Sequence, residues 1–361
     1  MKLTCLQENL NRALTIVGRA VPGGKALDPA LQTVLLSANE NGFQLEGMDM
    51  TLSLQVQLDA QVQEVGEVAV SHRRLSELVS TLGRDAVYLE LVKEGLSVRC
   101  GKSRVRLATV SPDSFPRLPA SEYEATLFLP AGELRQALGI AFAAAADTSR
   151  LVLAGINFDL RDGAIVFAAS NGFQLAVREM KTEVPVIASY IIPKTSLSVV
   201  QQVLVDPEET VMLQVSKGRV TFQVGAVRAS TLLLNGVYPN YENFIPKEHF
   251  CYIAAPREEL MRTVRSASVL SSGEHKTVKL MAGSDGVHVV SRTAEVGDFE
   301  SLLDAEVTEE GEVSINAEQM IDALQSMQSE TVTIGITSKS NPITVQGDEG
   351  YRVVLMPVIT G

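Results

Sequence analysis

The segment Gly101-Lys102-Ser103 is the first in this sequence to suggest chemistry, because glycine, lysine and serine in this order end a phosphate-binding loop. Such a loop also needs a glycine five residues earlier, and that position holds Leu96, with Gly95 one residue away. The segment lies between two predicted strands, whereas a phosphate loop precedes a helix. The sequence therefore argues against a nucleotide-hydrolysing enzyme.

Metal-binding and nucleophilic patterns are also missing. The sequence contains no nucleophile elbow and no zinc-protease motif. Its histidines and cysteines lack metal-ligand spacing, and three cysteines cannot form a disulfide framework, so we expect reduced thiols. These residues are His72, His249, His275, His288, Cys5, Cys100 and Cys251. We predict no catalytic residue, no metal and no cofactor; an enzyme with an unrecognised site that uses Asp49 or His72 stays as an alternative.

Composition favours a globular protein that binds a partner. The 361 residues are 45% hydrophobic, enough for two or three packed domains. The net charge of −12 argues against binding nucleic acid through general basicity, although a local basic surface is compatible with it. The sequence has no signal-peptide pattern and no apolar run of about 20 residues. We therefore expect a soluble, cytoplasmic protein.

A pattern of two helices occurs three times along the chain. The first helix carries Leu10, Leu134 or Leu260 at equivalent positions, and in the second copy the pattern continues to Ala141 and Phe142. The second helix follows an apolar strand and begins after Ser71, Pro193 or Asn316, residue types that open helices. The spacing predicts three copies of one structural unit.

Strands with matching turns complete each copy. Hairpin turns are predicted at Asn41-Gly42, Asp162-Gly163 and Asp285-Gly286, between the two helices of each copy. The fold class is therefore α+β, with two helices against antiparallel sheets in each of three tandem domains: residues 1–120, 121–248 and 249–361. Three separate domains on a string are the simpler interpretation. We favour copies that are joined through their sheets, because joining removes exposed strand edges.

Charge is distributed unevenly over the three domains, with net charges of zero, −3 and −9 in chain order. Basic residues cluster late in domain 1, and acidic residues cluster in domain 3, which suits head-to-tail contact between two chains; solvated surface on both clusters is the alternative. Two chains closed in this way would form a ring of twelve helices around a hole roughly 20–28 Å wide. The basic cluster contains Arg99, Lys102, Arg104 and Arg106; the acidic cluster contains Glu295, Asp298, Glu300, Asp304, Glu306, Glu309, Glu310 and Glu312.

The order of several local segments, together with the threefold repeat, resembles one family over the whole chain. The segments are Gly101-Lys102-Ser103-Arg104, Phe115-Pro116, Asn171-Gly172-Phe173-Gln174-Leu175-Ala176, Asn235-Gly236-Val237-Tyr238-Pro239-Asn240-Tyr241 and Val353-Val354-Leu355-Met356-Pro357-Val358. The family is the bacterial DNA sliding clamp, the beta subunit of DNA polymerase III. The resemblance implies a non-catalytic homodimeric ring, half of it formed by each chain, that slides on duplex DNA without sequence preference and makes the replicative polymerase processive.

The resemblance also implies partners and a docking site. The expected partners are the polymerase catalytic subunit, an ATP-driven clamp loader, and other polymerases and repair proteins that carry a clamp-binding peptide. The peptide would bind in an apolar pocket between domains 2 and 3. The implied pocket residues are Arg150, Leu153, Ser170, Gly172, Leu175, Pro239, Phe244, Val354, Met356, Pro357 and Val358.

The sequence departs from the family pattern at the edge of this pocket. A usual Asp-Gly-His-Arg-Leu run reads Asn171-Gly172-Phe173-Gln174-Leu175, and Glu242 and Asn243 occupy a region that is usually basic. The pocket edge therefore loses positive charge, and its preferred peptide is expected to differ.

Two further sets of residues are expected to hold the ring on DNA and to close it. Cations expected to face DNA are Lys25, Arg73, Arg74, Arg150, Lys194, Arg262 and Arg265. The expected dimer interface comprises Arg104, Val105, Arg106, Leu107, Val269, Leu270, Glu300 and Asp304. A scaffold built from the same repeats, which binds peptides but never encircles DNA, stays as the alternative function.

Overall fold

A computed structural model describes residues 1–23, 28–118, 122–146, 150–271, 276–293 and 297–359. Lys25 and Glu295, which the sequence assigns to the DNA-facing set and to the acidic cluster, lie outside the described residues. The chain forms two compact units. One contains Met1–Arg135 with Thr195–Leu233, and the other contains Gln136–Lys194 with Leu234–Gly361.

The three predicted repeats have the same order of elements, apart from short additional strands. The first contains β1 (Lys2–Leu6), α1 (Gln7–Val17), β2 (Thr33–Asn39), β3 (Gly42–Met48), β4 (Leu52–Leu58), β5 (Gln61–Glu64), β6 (Gly66–Ser71), α2 (His72–Thr81), β7 (Ala86–Val92), β8 (Gly95–Cys100), β9 (Ser103–Leu107) and β10 (Thr109–Val110). The second contains β11 (Tyr123–Pro130), α3 (Ala131–Ala137), β12 (Gly155–Arg161), β13 (Ala164–Ser170), β14 (Gln174–Lys181), β15 (Ala188–Pro193), α4 (Lys194–Val203), β16 (Thr210–Ser216), β17 (Arg219–Val224) and β18 (Val227–Leu232). The third contains β19 (Cys251–Pro256), α5 (Arg257–Val269), β20 (Thr277–Gly283), β21 (Gly286–Thr293), β22 (Gly297–Leu303), β23 (Glu306–Val307), β24 (Gly311–Asn316), α6 (Ala317–Gln325), β25 (Thr331–Ile336), β26 (Ile343–Gln346) and β27 (Tyr351–Leu355).

The helices form where apolar residues recur at helical spacing. In α1, Leu10, Leu14 and Val17 lie on one buried face. The predicted helix starts are confirmed: α2 and α4 begin directly after Ser71 and Pro193, and α6 begins after Asn316. The Asn316 side chain accepts hydrogen bonds from the backbone amides of Glu318 and Gln319 and so caps α6. None of the described helices is long and apolar enough to cross a membrane.

One helix is shorter than its pattern predicts. The apolar spacing continues to Phe142, but α3 ends at Ala137 and a 3-10 turn covers Leu138–Ala143. Gly139 lies in this turn, and glycine is a poor residue for a helix interior because it loses most backbone freedom. Leu138 is buried as the pattern predicts, but Ala141 and Phe142 are only half-buried, and Ile140 and Ala143 take the buried positions of the turn instead.

The strands form two sheets in each compact unit. In the first unit the orders are β5-β1-β7-β8-β9 and β10-β6-β2-β3-β4-β18-β17-β16-β11. In the second unit they are β22-β21-β20-β24 and β15-β12-β13-β14-β27-β26-β25-β19-β23. Glycines with positive φ close the predicted hairpins, for example Gly42 between β2 and β3 and Gly163 between β12 and β13.

The two nine-stranded sheets cross the predicted repeat boundaries. Antiparallel pairing of β4 with β18 joins the first two repeats, and pairing of β14 with β27 joins the second and third. The prediction of sheet-joined copies is confirmed. Because each long sheet combines strands of two repeats, the compact units do not coincide with the three repeats. The predicted domain boundaries stay a prediction.

Aromatic packing holds the core of the second unit. The fully buried rings of Phe158 and Phe167 meet edge to face, with their centroids 4.7 Å apart. These rings lie on the paired strands β12 and β13. The pair therefore stabilises the contact between β12 and β13, in the sheet that continues into β14 and β27.

We expect Phe158→Ala to destabilise the protein by about 3–5 kcal/mol, because it removes buried apolar area and leaves a cavity. Phe128→Ala is the matched control, since Phe128 is largely exposed on β11 and its loss should change stability by less than about 0.5 kcal/mol. Urea unfolding followed by far-UV circular dichroism measures both. Equal midpoints for the two variants would contradict the assignment of Phe158 to the core.

Candidate functional site

A cavity of about 230 Å³ opens on the nine-stranded sheet of the second unit. Eight of the residues predicted for the partner pocket line it: Leu153, Ser170, Gly172, Leu175, Pro239, Phe244, Val354 and Met356. Five further residues complete the wall: Phe173, Gln174, Tyr238, Tyr241 and Pro342. The structure thus brings residues from five separate segments of the chain to one apolar cavity.

The turn between β13 and β14 forms one wall and is held by its own side chains. The Asn171 side-chain oxygen accepts hydrogen bonds from the amides of Phe173 (2.9 Å) and Gln174 (3.0 Å). The Ser170 hydroxyl donates to the Gln174 carbonyl (2.8 Å) and accepts from the Gly172 amide (3.1 Å). Gly172 has a φ of 93°, a conformation that residues with side chains rarely adopt. This network fixes the shape of the wall without a ligand.

The segment after β18 forms a second wall. The rings of Tyr238 and Tyr241 pack edge to face, with centroids 6.3 Å apart. Arg161 anchors the segment, because its Nη2 donates to the Tyr241 hydroxyl (3.3 Å) and to Glu242 Oε1 (2.7 Å). Burial raises the pKa of Tyr241 to about 12, so both its ring and its neutral hydroxyl suit an apolar wall.

Strand β27 supplies the third wall and continues the sheet beneath the cavity. Val354 pairs with Leu175 across the strands, and the Met356 amide donates to the Phe173 carbonyl (2.9 Å). Phe173, Phe244 and Met356 expose 66%, 64% and 41% of their surface at the mouth of the cavity. Large apolar side chains in this position indicate a ligand with apolar groups of its own.

Three predicted pocket residues do not line the cavity. Arg150 is exposed, and its guanidinium group lies beside Gly172 at the cavity: Nη1 is 2.8 Å from the position that a Cβ atom on Gly172 would take. Pro357 and Val358 follow Met356, but here the chain turns towards β24, and the Val358 amide donates to the Ser314 carbonyl. Met356 therefore lines the cavity, whereas Val358 bonds to a different strand.

Sequence reasoning assigned no lining role to five of the residues in the wall. Phe173, Gln174, Tyr238 and Tyr241 lie inside segments that carry the family resemblance, so their position next to predicted residues was an available signal. Pro342 lies between β25 and β26, and no pattern in the sequence connects it with the other walls.

The predicted DNA-facing cations differ in their exposure to solvent and in the groups that their charged atoms contact. Arg73, Arg74, Arg262 and Arg265 are exposed on α2 and α5, and Arg73 forms an ion pair with Glu77 at 2.8 Å. Lys194 is only half-exposed, and its ammonium group donates to the Ala144 carbonyl (3.3 Å). Burial lowers the pKa of Lys194, and the charge of Asp322 opposes this shift. Lys194 is therefore tied to its surroundings more closely than the helix-borne arginines are.

The residues predicted for the dimer interface lie at sheet edges and at the end of a helix. Arg104 and Leu107 belong to β9, the outer strand of the five-stranded sheet. Glu300 belongs to β22, the outer strand of the four-stranded sheet, and its Oε1 lies 3.4 Å from His288 Nδ1. Asp304 follows this strand, while the exposed Val269 ends α5 and Leu270 follows it. Val105 and Arg106 complete the predicted set on β9.

The residues that suggested enzymatic chemistry have structural roles. Gly101 and Lys102 form the turn between the antiparallel strands β8 and β9, a setting that no phosphate loop has. Cys5, Cys100 and Cys251 are free and buried, and burial raises the pKa of Cys5 to about 12. Among the described residues, no group of three or more His, Cys, Asp or Glu side chains could hold a metal ion.

Comparison with known proteins identifies the family. The sequence models of the DNA polymerase III beta subunit match in chain order: the N-terminal domain at residues 1–119, the central domain at 129–240 and the C-terminal domain at 242–359. The chain belongs to the DNA polymerase III beta subunit family. The beta sliding clamps of Synechococcus elongatus and Bacillus subtilis are 26% and 25% identical to it, over 99% and 100% of both proteins respectively.

Solved beta clamps have the same fold. The DNA polymerase sliding clamp of Bacillus subtilis matches with a TM-score of 0.95 and 24% identity, over 100% of both chains. A Pseudomonas aeruginosa beta clamp bound to griselimycin matches with a TM-score of 0.96 and 21% identity, also over 100% of both chains. The predicted fold class is confirmed: this beta-family chain consists of three tandem α+β clamp domains. These relatives carry the name beta sliding clamp.

Proposed function

We propose that two copies of this chain close into a ring that encircles duplex DNA, slides without sequence preference and tethers the replicative polymerase. A clamp loader would open the ring with ATP, while the clamp hydrolyses nothing. The observation that carries the proposal is the pairing of strand edges. Two long sheets cross repeat boundaries. Among the described strands, the two that would form a third such sheet, β9 and β22, each lie at the edge of a sheet.

The three repeats supply equivalent strands for this third sheet. Strand β9 of the first repeat is equivalent to β18 and β27, and β22 of the third repeat is equivalent to β4 and β14. In the described part of the chain, β9 and β22 are outer strands of a five-stranded and a four-stranded sheet. Pairing β22 of one chain with β9 of another would give a nine-stranded sheet with the strand order of the other two. Edge strands with free hydrogen-bonding groups favour this kind of pairing.

The register of the existing junctions predicts which side chains would meet. If β9 pairs with β22 as β18 pairs with β4 and β27 with β14, Arg104 would lie opposite Glu300 and Arg106 opposite Asp298. Val105 would face Phe299 between these pairs. Opposite charges directly across antiparallel strands stabilise their pairing, and like charges destabilise it. Val269, Leu270 and Asp304 would lie at the borders of this contact.

Weak attraction to phosphates suits a ring that must slide. The net charge of −12 opposes general binding to DNA, so contacts would depend on exposed cations such as Arg74, Arg262 and Arg265. Phosphate contacts carry no sequence information, and they weaken as salt rises. A topological link would then hold the protein on DNA while individual contacts exchange.

The apolar cavity of the second unit suits the docking peptides of the partners. Its size and its apolar wall match one or two inserted side chains such as Leu and Phe, and the turn network keeps it formed in the free protein. The polymerase catalytic subunit, the clamp loader and repair proteins would compete for this site. The absence of a basic side chain at Gln174 favours peptides that do not depend on an acidic contact there.

Retention on circular DNA tests the ring. After loading onto nicked circular DNA with ATP and a clamp loader, we expect the protein to stay bound through a salt wash and to be lost when the circle is linearised. The physical reason is that a closed ring leaves a circle only by opening, but slides off a free end. A clamp of known topology, loaded in the same assay, is the control. Retention on linear DNA would contradict encirclement.

A charge exchange tests the predicted interface. The variant Arg104→Glu/Arg106→Glu and the variant Asp298→Arg/Glu300→Arg each place like charges across both contacts of a homodimer, so we expect monomers. Mixed together, the two variants have opposite charges at both contacts and should form a heterodimer. Sedimentation equilibrium measures all three samples. If both variants stay dimeric alone, or if the mixture stays monomeric, the proposed register is wrong.

Binding of a synthetic peptide with adjacent Leu and Phe anchors tests the pocket. Phe244→Ala/Met356→Ala removes exposed parts of the cavity wall and should weaken the peptide at least about 10-fold, which corresponds to about 1.4 kcal/mol. Phe250→Ala is the control, because Phe250 is an exposed apolar residue outside the cavity. Fluorescence polarisation measures the dissociation constants. Equal weakening by both variants would show that the cavity is not the binding site.

A further inference from the structure

The junction between the first and second repeats has a buried cluster that matches the partner cavity. The cluster contains Leu31, Leu35, Met48, Ala69 and Phe115, with Leu118 packed against it. Residues 122 or 123 positions later belong to the cavity or to the cluster beneath it. These counterparts are Leu153 for Leu31, Ser170 for Met48, Ile191 for Ala69, Tyr238 for Phe115 and Tyr241 for Leu118.

The backbone around the two clusters is also equivalent. The Leu232 amide donates to the Thr51 carbonyl (3.0 Å) beside the first, just as the Met356 amide donates to the Phe173 carbonyl (2.9 Å) beside the second. A 3-10 turn carries the leucine in both cases, Pro29–Gln32 for Leu31 and Leu151–Ala154 for Leu153. The first junction therefore has the framework of a second pocket.

Side-chain size distinguishes the two junctions. Around the cavity, the second repeat has the small residues Ala168, Ser170 and Gly172. The equivalent positions of the first repeat have the larger residues Glu46, Met48 and Met50. Met48 is only 7% exposed and packs inside the cluster, in the position where the second repeat has a serine and open space. Methionine is unbranched and flexible, so it fills irregular gaps well.

The chemistry of the neighbouring wall differs as well. Glu46 is buried, and its Oε1 accepts a hydrogen bond from the Ser53 hydroxyl at 2.9 Å. Their counterparts in the second repeat are Ala168 and Leu175, which leave that wall apolar. A polar pair beside Met48 does not suit an apolar anchor, and it adds to the effect of the larger side chains.

We infer that Met48 acts as an internal plug: it occupies a second copy of the peptide-docking pocket and so limits each chain to one partner peptide. The inference rests on the proposed docking function of the cavity in the second unit. It assigns the closure of this second copy within each chain to the side-chain volumes at positions 46 and 48, since Met50 is exposed. The ligand class of the closed copy is the same, a peptide with apolar anchors.

The test transplants the open wall into the first repeat of the full-length chain. The variant carries Glu46→Ala, Met48→Ser, Met50→Gly and Ser53→Leu, the residues found at positions 168, 170, 172 and 175. Isothermal titration with the synthetic Leu-Phe peptide measures the number of sites. We expect one peptide per chain for the unaltered protein and two for the variant. Met48→Leu keeps the space filled and should stay at one.

A reverse substitution makes the test independent of how well the transplant folds. Ser170→Met introduces the plug into the open pocket and should weaken peptide binding at least about 10-fold more than Ser170→Ala, which removes the same hydroxyl without adding volume. One site in a folded transplant, or unchanged affinity in Ser170→Met, would overturn the plug while the docking function stands. If the unaltered chain binds no peptide at all, the proposed docking function fails and the inference falls with it.

Discussion

Antiparallel pairing across the repeat boundaries is the constraint on which the rest of the structure depends. A clamp domain leaves strand edges with unpaired amides and carbonyls, and pairing with another strand satisfies those groups. Strands β18 and β27 cover the edges of β4 and β14, and each pairing carries the hydrogen bonds and the side-chain register of one repeat into the next. In the proposed ring, the edges of β9 and β22 would pair in the same way between two chains.

The apolar cavity of the second unit is a product of one such pairing. Because β27 lies beside β14, Val354 and Met356 come next to Leu175 and the turn at Gly172, although the sequence separates them widely. The walls then need residues small enough to leave space and a segment that folds back over the sheet. Ser170 and Gly172 provide the first, and the Tyr238–Tyr241 pair held by Arg161 provides the second. The first repeat has the pairing but lacks the small residues.

The sequence predicts the elements that repeat along the chain. It does not predict several features that depend on tertiary packing. The leucines of the first helices, the helix-opening residues and the turn glycines recur at nearly constant spacing, so they could be predicted from local pattern alone. Pro342 could not, because only the pairing of β26 and β27 brings it to the cavity. The early end of α3 and the partial burial of Lys194 reflect tertiary surroundings that helical periodicity does not encode.

The charge pattern is consistent with a protein that is kept on DNA by its topology. Several cations are already engaged within the chain: Arg73 by Glu77, Lys276 by Glu318 and Lys279 by Glu312. Such pairs reduce the field that reaches a phosphate, and solvent ions screen the rest within about 8 Å at physiological salt. The helix α6 carries no Lys or Arg. Strong phosphate binding would hold the protein at one position on DNA. In the proposed ring, closure around the duplex would keep the protein on DNA, so each phosphate contact could be weak.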